Sequence, residues 1–215
     1  MQTSEPSATP PRTYERDAGS TAIVAGLLGI VYSIAFLGGV VLGWAPGFGL
    51  AVASIALIFG ALFSIAVLIA VYQRLAGDAR VVGMVGLVLV VIGAAGAMAH
   101  GGYDLANLLH PPTADVLGDA GLPNPVDPRG LMTFGASGLG LMVLSGLARG
   151  NGILPRNLAT LGMVVGLMLL VVYLGRLIIL TPTNPVVAAA AGLTGLVLSP
   201  AFYIWLGTEL RRRQA

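Results

Sequence analysis

The sequence predicts an all-α polytopic membrane protein, a single bundle of six transmembrane helices with both termini on the cytoplasmic side. Three observations carry that expectation. Hydrophobic residues make up 56% of the 215 positions and charged residues only 9%, where soluble domains carry roughly 25% charged residues. The apolar residues are gathered into runs of about 20 or more, long enough to cross roughly 30 Å of hydrocarbon. The arginines are then distributed unevenly over the segments that separate those runs.

The elements follow in order. Residues 1–19 are polar and proline-rich and read as a disordered cytoplasmic tail. No cleavable signal precedes the first apolar run, which is expected to stay as an uncleaved span. The spans are expected at about residues 20–44, 46–74, 80–110, 129–148, 157–180 and 185–210. Pro46 opens the second span, and Pro111 with Pro112 stops the third. Residues 111–128 form the longest loop, and residues 211–215 a short basic tail. Pro200 lies inside the sixth span and is expected to kink it, freeing one backbone carbonyl.

Charge sets the expected orientation. With the N-terminus inside, the cytoplasmic segments hold Arg12, Arg16, Arg74, Arg80, Arg149, Arg156, Arg211, Arg212 and Arg213. The outer side keeps only Arg129 and Arg176. Basic residues gather on the cytoplasmic side of membrane proteins, and an odd number of spans destroys this pattern. Trp44 then marks one interface, and Tyr72, Tyr203 and Trp205 the other. The net charge of +2 therefore reports orientation rather than contact with nucleic acid.

The chain has no cysteine, and all eleven basic residues are arginine. The first fact excludes disulfides, thiolate metal sites, iron–sulfur clusters and cysteine nucleophiles. The second excludes retinal and pyridoxal held as Schiff bases, which need a lysine. The two histidines, His100 and His110, lie on one helix about 15 Å apart, so a bis-histidine haem is disfavoured. No nucleotide loop, serine elbow or HExxH pattern occurs. Quinone, carotenoid and chlorophyll are held largely by apolar packing and leave no motif to read.

The 31 glycines have a physical role. Helices in lipid gain little by hiding apolar side chains from one another, so close backbone approach carries the packing. Small residues recur four apart at Gly39 and Gly43, at Gly93, Ala97 and Gly101, at Ala136 and Gly140, and at Gly162 and Gly166. They are read as packing faces within one bundle, with a dimer face as the alternative. The outer loop carries Asp115, Asp119 and Asp127 and reads as a solvated acidic segment.

The polar constellation lies at the outer end of the third span. His100, Asp104 and Asn107 are spaced i, i+4, i+7, and Tyr103, Asn107 and His110 repeat that spacing. Together they form one polar stripe on an otherwise apolar helix. At 1.5 Å per residue His100 stands about 30 Å from Arg80, near the outer interface. Arg176 lies at similar depth, roughly 28 Å beyond Asn157 on the fifth span, with Tyr173 one turn deeper. An arginine there needs a partner, and Asp104 is the expected one. Three readings stand: a structural clasp between helices, a pocket for an anionic head group, and a proton-handling site in which Asp104 tunes His100.

The C-terminal part carries LPR at Leu154–Arg156, VYLGRLI at Val172–Ile178, TPTNP at Thr181–Pro185 and FYIWLG at Phe202–Gly207. In these pieces residues 153–213 resemble a domain-of-unknown-function family of bacterial multi-span membrane proteins. The resemblance implies a compact helical bundle in a bacterial inner membrane. It brings no activity and no catalytic residue. It does place Arg176 inside a family-like motif.

For function the sequence favours a small accessory or scaffold subunit of a larger membrane complex, with other membrane subunits or a second copy as partner. The alternative is binding or transport of a lipid-like or small amphiphilic molecule through the outer polar cluster. A further alternative is an intramembrane enzyme or proton-handling protein centred on His100 and Asp104. The partner common to all three is the lipid bilayer.

Overall fold

The computed structural model describes residues 12–111, 128–179 and 184–212. Six helices in it are long and apolar enough to cross a membrane. α1 covers Tyr14–Val41, α2 Pro46–Gln73, α3 Gly77–Leu109, α4 Leu131–Gly150, α5 Arg156–Ile179 and α6 Pro185–Arg212; a helical turn at Pro128–Gly130 runs directly into α4 and is counted with it. No strand occurs among the described residues. The protein is therefore an all-α bundle of six membrane-spanning helices.

Each helix packs against the next in sequence, and α6 returns to α1, closing a ring. Along the α1–α6 seam Gly19 meets Gly207 and Arg211, Gly26 meets Pro200 and Ile204, and Ser33 meets Gly195. These pairs run antiparallel, so the start of α1 and the end of α6 share one end of the bundle. That end also collects Arg74, Arg80, Arg149 and Arg156 at the helix termini. Arg129 and Arg176 belong to the opposite end.

The close approaches lie between backbones, as packing without a hydrophobic drive requires. A methyl group on Gly138 would stand 2.7 Å from the Gly166 carbonyl oxygen, and one on Gly166 2.6 Å from that of Gly138. Gly140 is pressed against Gly86 in the same way, and Gly39 against Gly49. The expected small-residue faces thus serve contacts inside the bundle. Two details differ. Gly43 has φ +73° and belongs to the turn after α1, not to a helix face. Gly93 and Gly101 face different helices, Gly93 meeting Ser137 of α4 and Gly101 meeting Ser54 of α2.

The packed core sits toward the arginine-rich end. All six helices contribute to it, through Ala22, Val71, Val90, Leu144, Leu158 and Phe202 among others. Large apolar side chains such as Phe48, Leu62, Val85, Leu167 and Val197 point outward. Exposure of that kind suits a hydrocarbon surround.

Residues 12–19, expected as part of a disordered tail, begin the first helix instead. Long-range contacts hold them. The Tyr14 hydroxyl donates to the Ala66 carbonyl at 3.1 Å, and Arg74 Nε donates to Glu15 Oε1 at 2.8 Å. Local composition favours disorder, but a partner 59 residues away supplies the ordering energy.

Three helices widen into π-helical turns, at Ala35–Val41 in α1, Leu131–Ala136 in α4 and Thr194–Leu198 in α6. The last stands directly before Pro200. Proline has no N–H to give the Leu196 carbonyl, so the regular ladder is interrupted there. All three turns lie away from the arginine-rich end. The aspartates of the outer loop, Asp115, Asp119 and Asp127, lie outside the described residues, as do Thr181–Thr183 of the TPTNP piece.

Candidate functional site

The polar groups converge where α3, α4 and α5 approach the end remote from the arginine-rich one. His100 and Asp104 stand one turn apart on α3, and His100 Nε2 lies 3.4 Å from Asp104 Oδ2. Both are half-buried. The second carboxylate oxygen faces α4, with Arg129 Nη1 4.0 Å from Asp104 Oδ1. The same guanidinium covers the Tyr103 ring at 4.3 Å to the centroid. A cation held over an aromatic face gains on the order of 1 kcal/mol. Tyr103 and Asp104 thus bind Arg129 by its face and its edge together.

Arg176 comes from α5 and lies over the Phe134 ring, 5.7 Å from the centroid. A methyl group on Gly130, the neighbour of Arg129, would stand 3.9 Å from Arg176 Nη1. Tyr173, one turn back, faces Gly135 of α4 at ordinary contact distance. Arg176 and Tyr173 therefore share a face, as expected from their spacing, and that face meets α4.

The expected Arg176–Asp104 ion pair is not formed. Among the described residues the ionisable partners of Asp104 within 4 Å are His100 and Arg129. The reason is topological. α4 stands between α3 and α5 in the ring, so its own arginine reaches the carboxylate first. The sequence already carried a signal for this. Arg129 begins the fourth span at the depth where Asp104 nears the end of the antiparallel third span.

The remaining stripe residues are spread out. Asn107 is half-buried about one turn beyond Asp104. His110 ends α3, its backbone N–H donating to the Ala106 carbonyl at 2.8 Å, and is exposed. The structure joins His100, Tyr103 and Asp104 through Arg129, sets Arg176 and Tyr173 beside them across α4, and leaves His110 at the rim.

A polar line descends from this cluster along α4. Arg129 meets Asp104, Thr133 packs against Gly96, and Ser137 packs against Gly93. The Thr133 hydroxyl is buried and has no hydrogen-bond partner among the described residues. The line ends at a cavity of about 170 Å³ in the middle of the bundle. Five helices line it, through Tyr32, Ser64, Ala94, Ser137, Pro200 and Tyr203 among others. Gly60, which also lines it, stands midway along α2, so the cavity lies near the bilayer midplane. Sequence reasoning had no means of placing Tyr32 and Ser64 in one space.

The Tyr32 ring stacks on Phe36 with centroids 5.8 Å apart. Tyr203 and Ser64 line the same space from α6 and α2, and the Ser64 hydroxyl donates to the Ala61 carbonyl at 2.7 Å.

Charge decides what the cluster can attract. Among the described residues Arg129 and Arg176 bring two guanidinium groups and Asp104 one carboxylate to this end of the bundle. Ionisable side chains at membrane depth are costly and mark functional positions. Guanidinium groups offer paired donors that match carboxylate and phosphate oxygens. No family model, curated protein or solved structure matches this chain.

Proposed function

We propose that the chain binds an amphiphilic molecule from the membrane, with its anionic head group at Arg129 and Arg176. The observation that carries this reading is the approach of Arg129 and Arg176, from the start of α4 and from α5, beside Gly130 at one end of the bundle. Tyr103 and His100 supply further polar contacts at the same depth. The cavity below offers apolar space at the midplane, where membrane carriers commonly hold their cargo. The test is native mass spectrometry of protein drawn gently from its own membrane. An anionic small molecule should accompany the wild-type chain and be lost from Arg129→Gln/Arg176→Gln.

The accessory-subunit reading draws on glycine-rich helix faces. Most of those faces are occupied within the bundle, which leaves fewer of them for a partner. The proton-handling reading rests on the His100–Asp104 pair alone.

The arginine-rich end is read as the cytoplasmic side of a bacterial inner membrane, on the distribution of charge and on the resemblance of residues 153–213. The head-group cluster then faces the outer leaflet. The chain has no cysteine, so single cysteines report orientation cleanly. Ala45→Cys should react with a membrane-impermeant maleimide in intact cells and Ala76→Cys should not. The reverse pattern would invert the topology.

A further inference from the structure

We infer that the midplane cavity is a binding site in its own right, for an uncharged ring-sized group bearing a hydroxyl or carbonyl oxygen. It rests on the amphiphile reading in one respect, that this group and the anionic head belong to one ligand.

Three observations define the occupant. The first is size. The space is partly open, and its volume of about 170 Å³ is close to the roughly 150 Å³ of an enclosed apolar cavity that holds benzene in another protein. It is too small for a whole lipid and suits one ring with a substituent. The second is the wall. Ala25, Gly29, Gly60, Ala61 and Ala94 give it small apolar surfaces, and Pro200 enters from α6. A group without charge is therefore favoured, since no ionised side chain lines the space.

The third is the placement of hydroxyls. Tyr32 and Tyr203 enter from α1 and α6. Ser64 lines the same space. Tyr32 makes no hydrogen bond among the described residues, although it sits at membrane depth, where polar groups need partners. An oxygen on the occupant would satisfy it. The polar line from Arg129 through Thr133 to Ser137, which lines the space, joins it to the cluster.

The experiment uses the full chain in nanodiscs of neutral lipid, with empty nanodiscs as reference. Fluorine NMR follows binding of 4-fluorophenol and of fluorobenzene. The expected result is a saturable site that prefers 4-fluorophenol about fivefold, the size of one hydrogen bond. Tyr32→Phe/Tyr203→Phe, which keeps the rings, should abolish the preference while fluorobenzene still binds. Gly60→Leu should remove both signals by filling the space, since a Cβ there meets only Leu28, at 3.7 Å. Binding unchanged in Gly60→Leu, or a preference that survives loss of both hydroxyls, would overturn the inference.

Dodecyl phosphate, titrated separately, reads the head-group cluster. Insensitivity of its binding to Arg129→Gln/Arg176→Gln, alongside normal 4-fluorophenol binding, would remove the amphiphile reading and leave the cavity site standing.

Discussion

The Arg129 guanidinium lies over the Tyr103 ring, 4.3 Å from its centroid, and this contact fastens α4 to α3 at the end where the polar side chains gather. The arginine's edge meets Asp104 in the same place. Position in the ring, not depth alone, chose the partner. α5 is separated from α3 by a whole helix, and its arginine turns to Phe134 of the helix beside it.

That arrangement fixes where coupling should appear. A double-mutant cycle between Arg129→Ala and Asp104→Ala should give a coupling of about 1 kcal/mol in unfolding free energy. The corresponding cycle between Arg176→Ala and Asp104→Ala should lie near zero, because no direct contact joins them. Equal couplings in the two cycles would contradict the assignment of Asp104 to Arg129.

The start of α1 depends on a contact remote in sequence. Glu15→Gln weakens the 2.8 Å bond to Arg74 and leaves a mostly buried guanidinium without its counter-charge. A loss of about 1–3 kcal/mol is expected, together with faster proteolysis around residues 12–19. Unchanged protection of that segment would mean that Tyr14 alone holds it.

Glycines on one helix should respond in opposite ways. Gly138 of α4 faces the Gly166 backbone at 2.7 Å from a would-be methyl group, whereas Gly146 meets nothing within 4 Å. Gly138→Ala should destabilise the α4–α5 contact by about 1–3 kcal/mol. Gly146→Ala should be neutral or slightly stabilising, since alanine favours the helix. Thermal unfolding in a single detergent checks both, and equal losses would contradict the packing described.

Much of this architecture was legible in the sequence. The six spans follow from apolar runs broken at Pro46, at Pro111 and at the arginine-bearing turns, and such runs need no tertiary information. The first helix was placed too late because residues 12–19 are polar, and partners far along the chain, Ala66, Arg74 and Gly207 among them, hold them as helix. The stripe from His100 to Asn107 was visible because one helix carries it. Arg129 was passed over because its role depends on which helix stands beside α3. The cavity was hidden for a related reason. Its wall is assembled from five helices, half of it from alanine and glycine, and those residues look the same in a packed seam as around a space.

The central claim is that Arg129 and Arg176 hold an anionic amphiphile. Native mass spectrometry of the wild-type chain and of Arg129→Gln/Arg176→Gln, each extracted mildly from its own membrane, tests it most directly. The account predicts a reproducible small-molecule mass on the wild-type protein, identified as an anionic amphiphile by fragmentation, and its loss from the folded variant. The same mass retained on the variant, or a wild-type chain carrying only another protein, would contradict it.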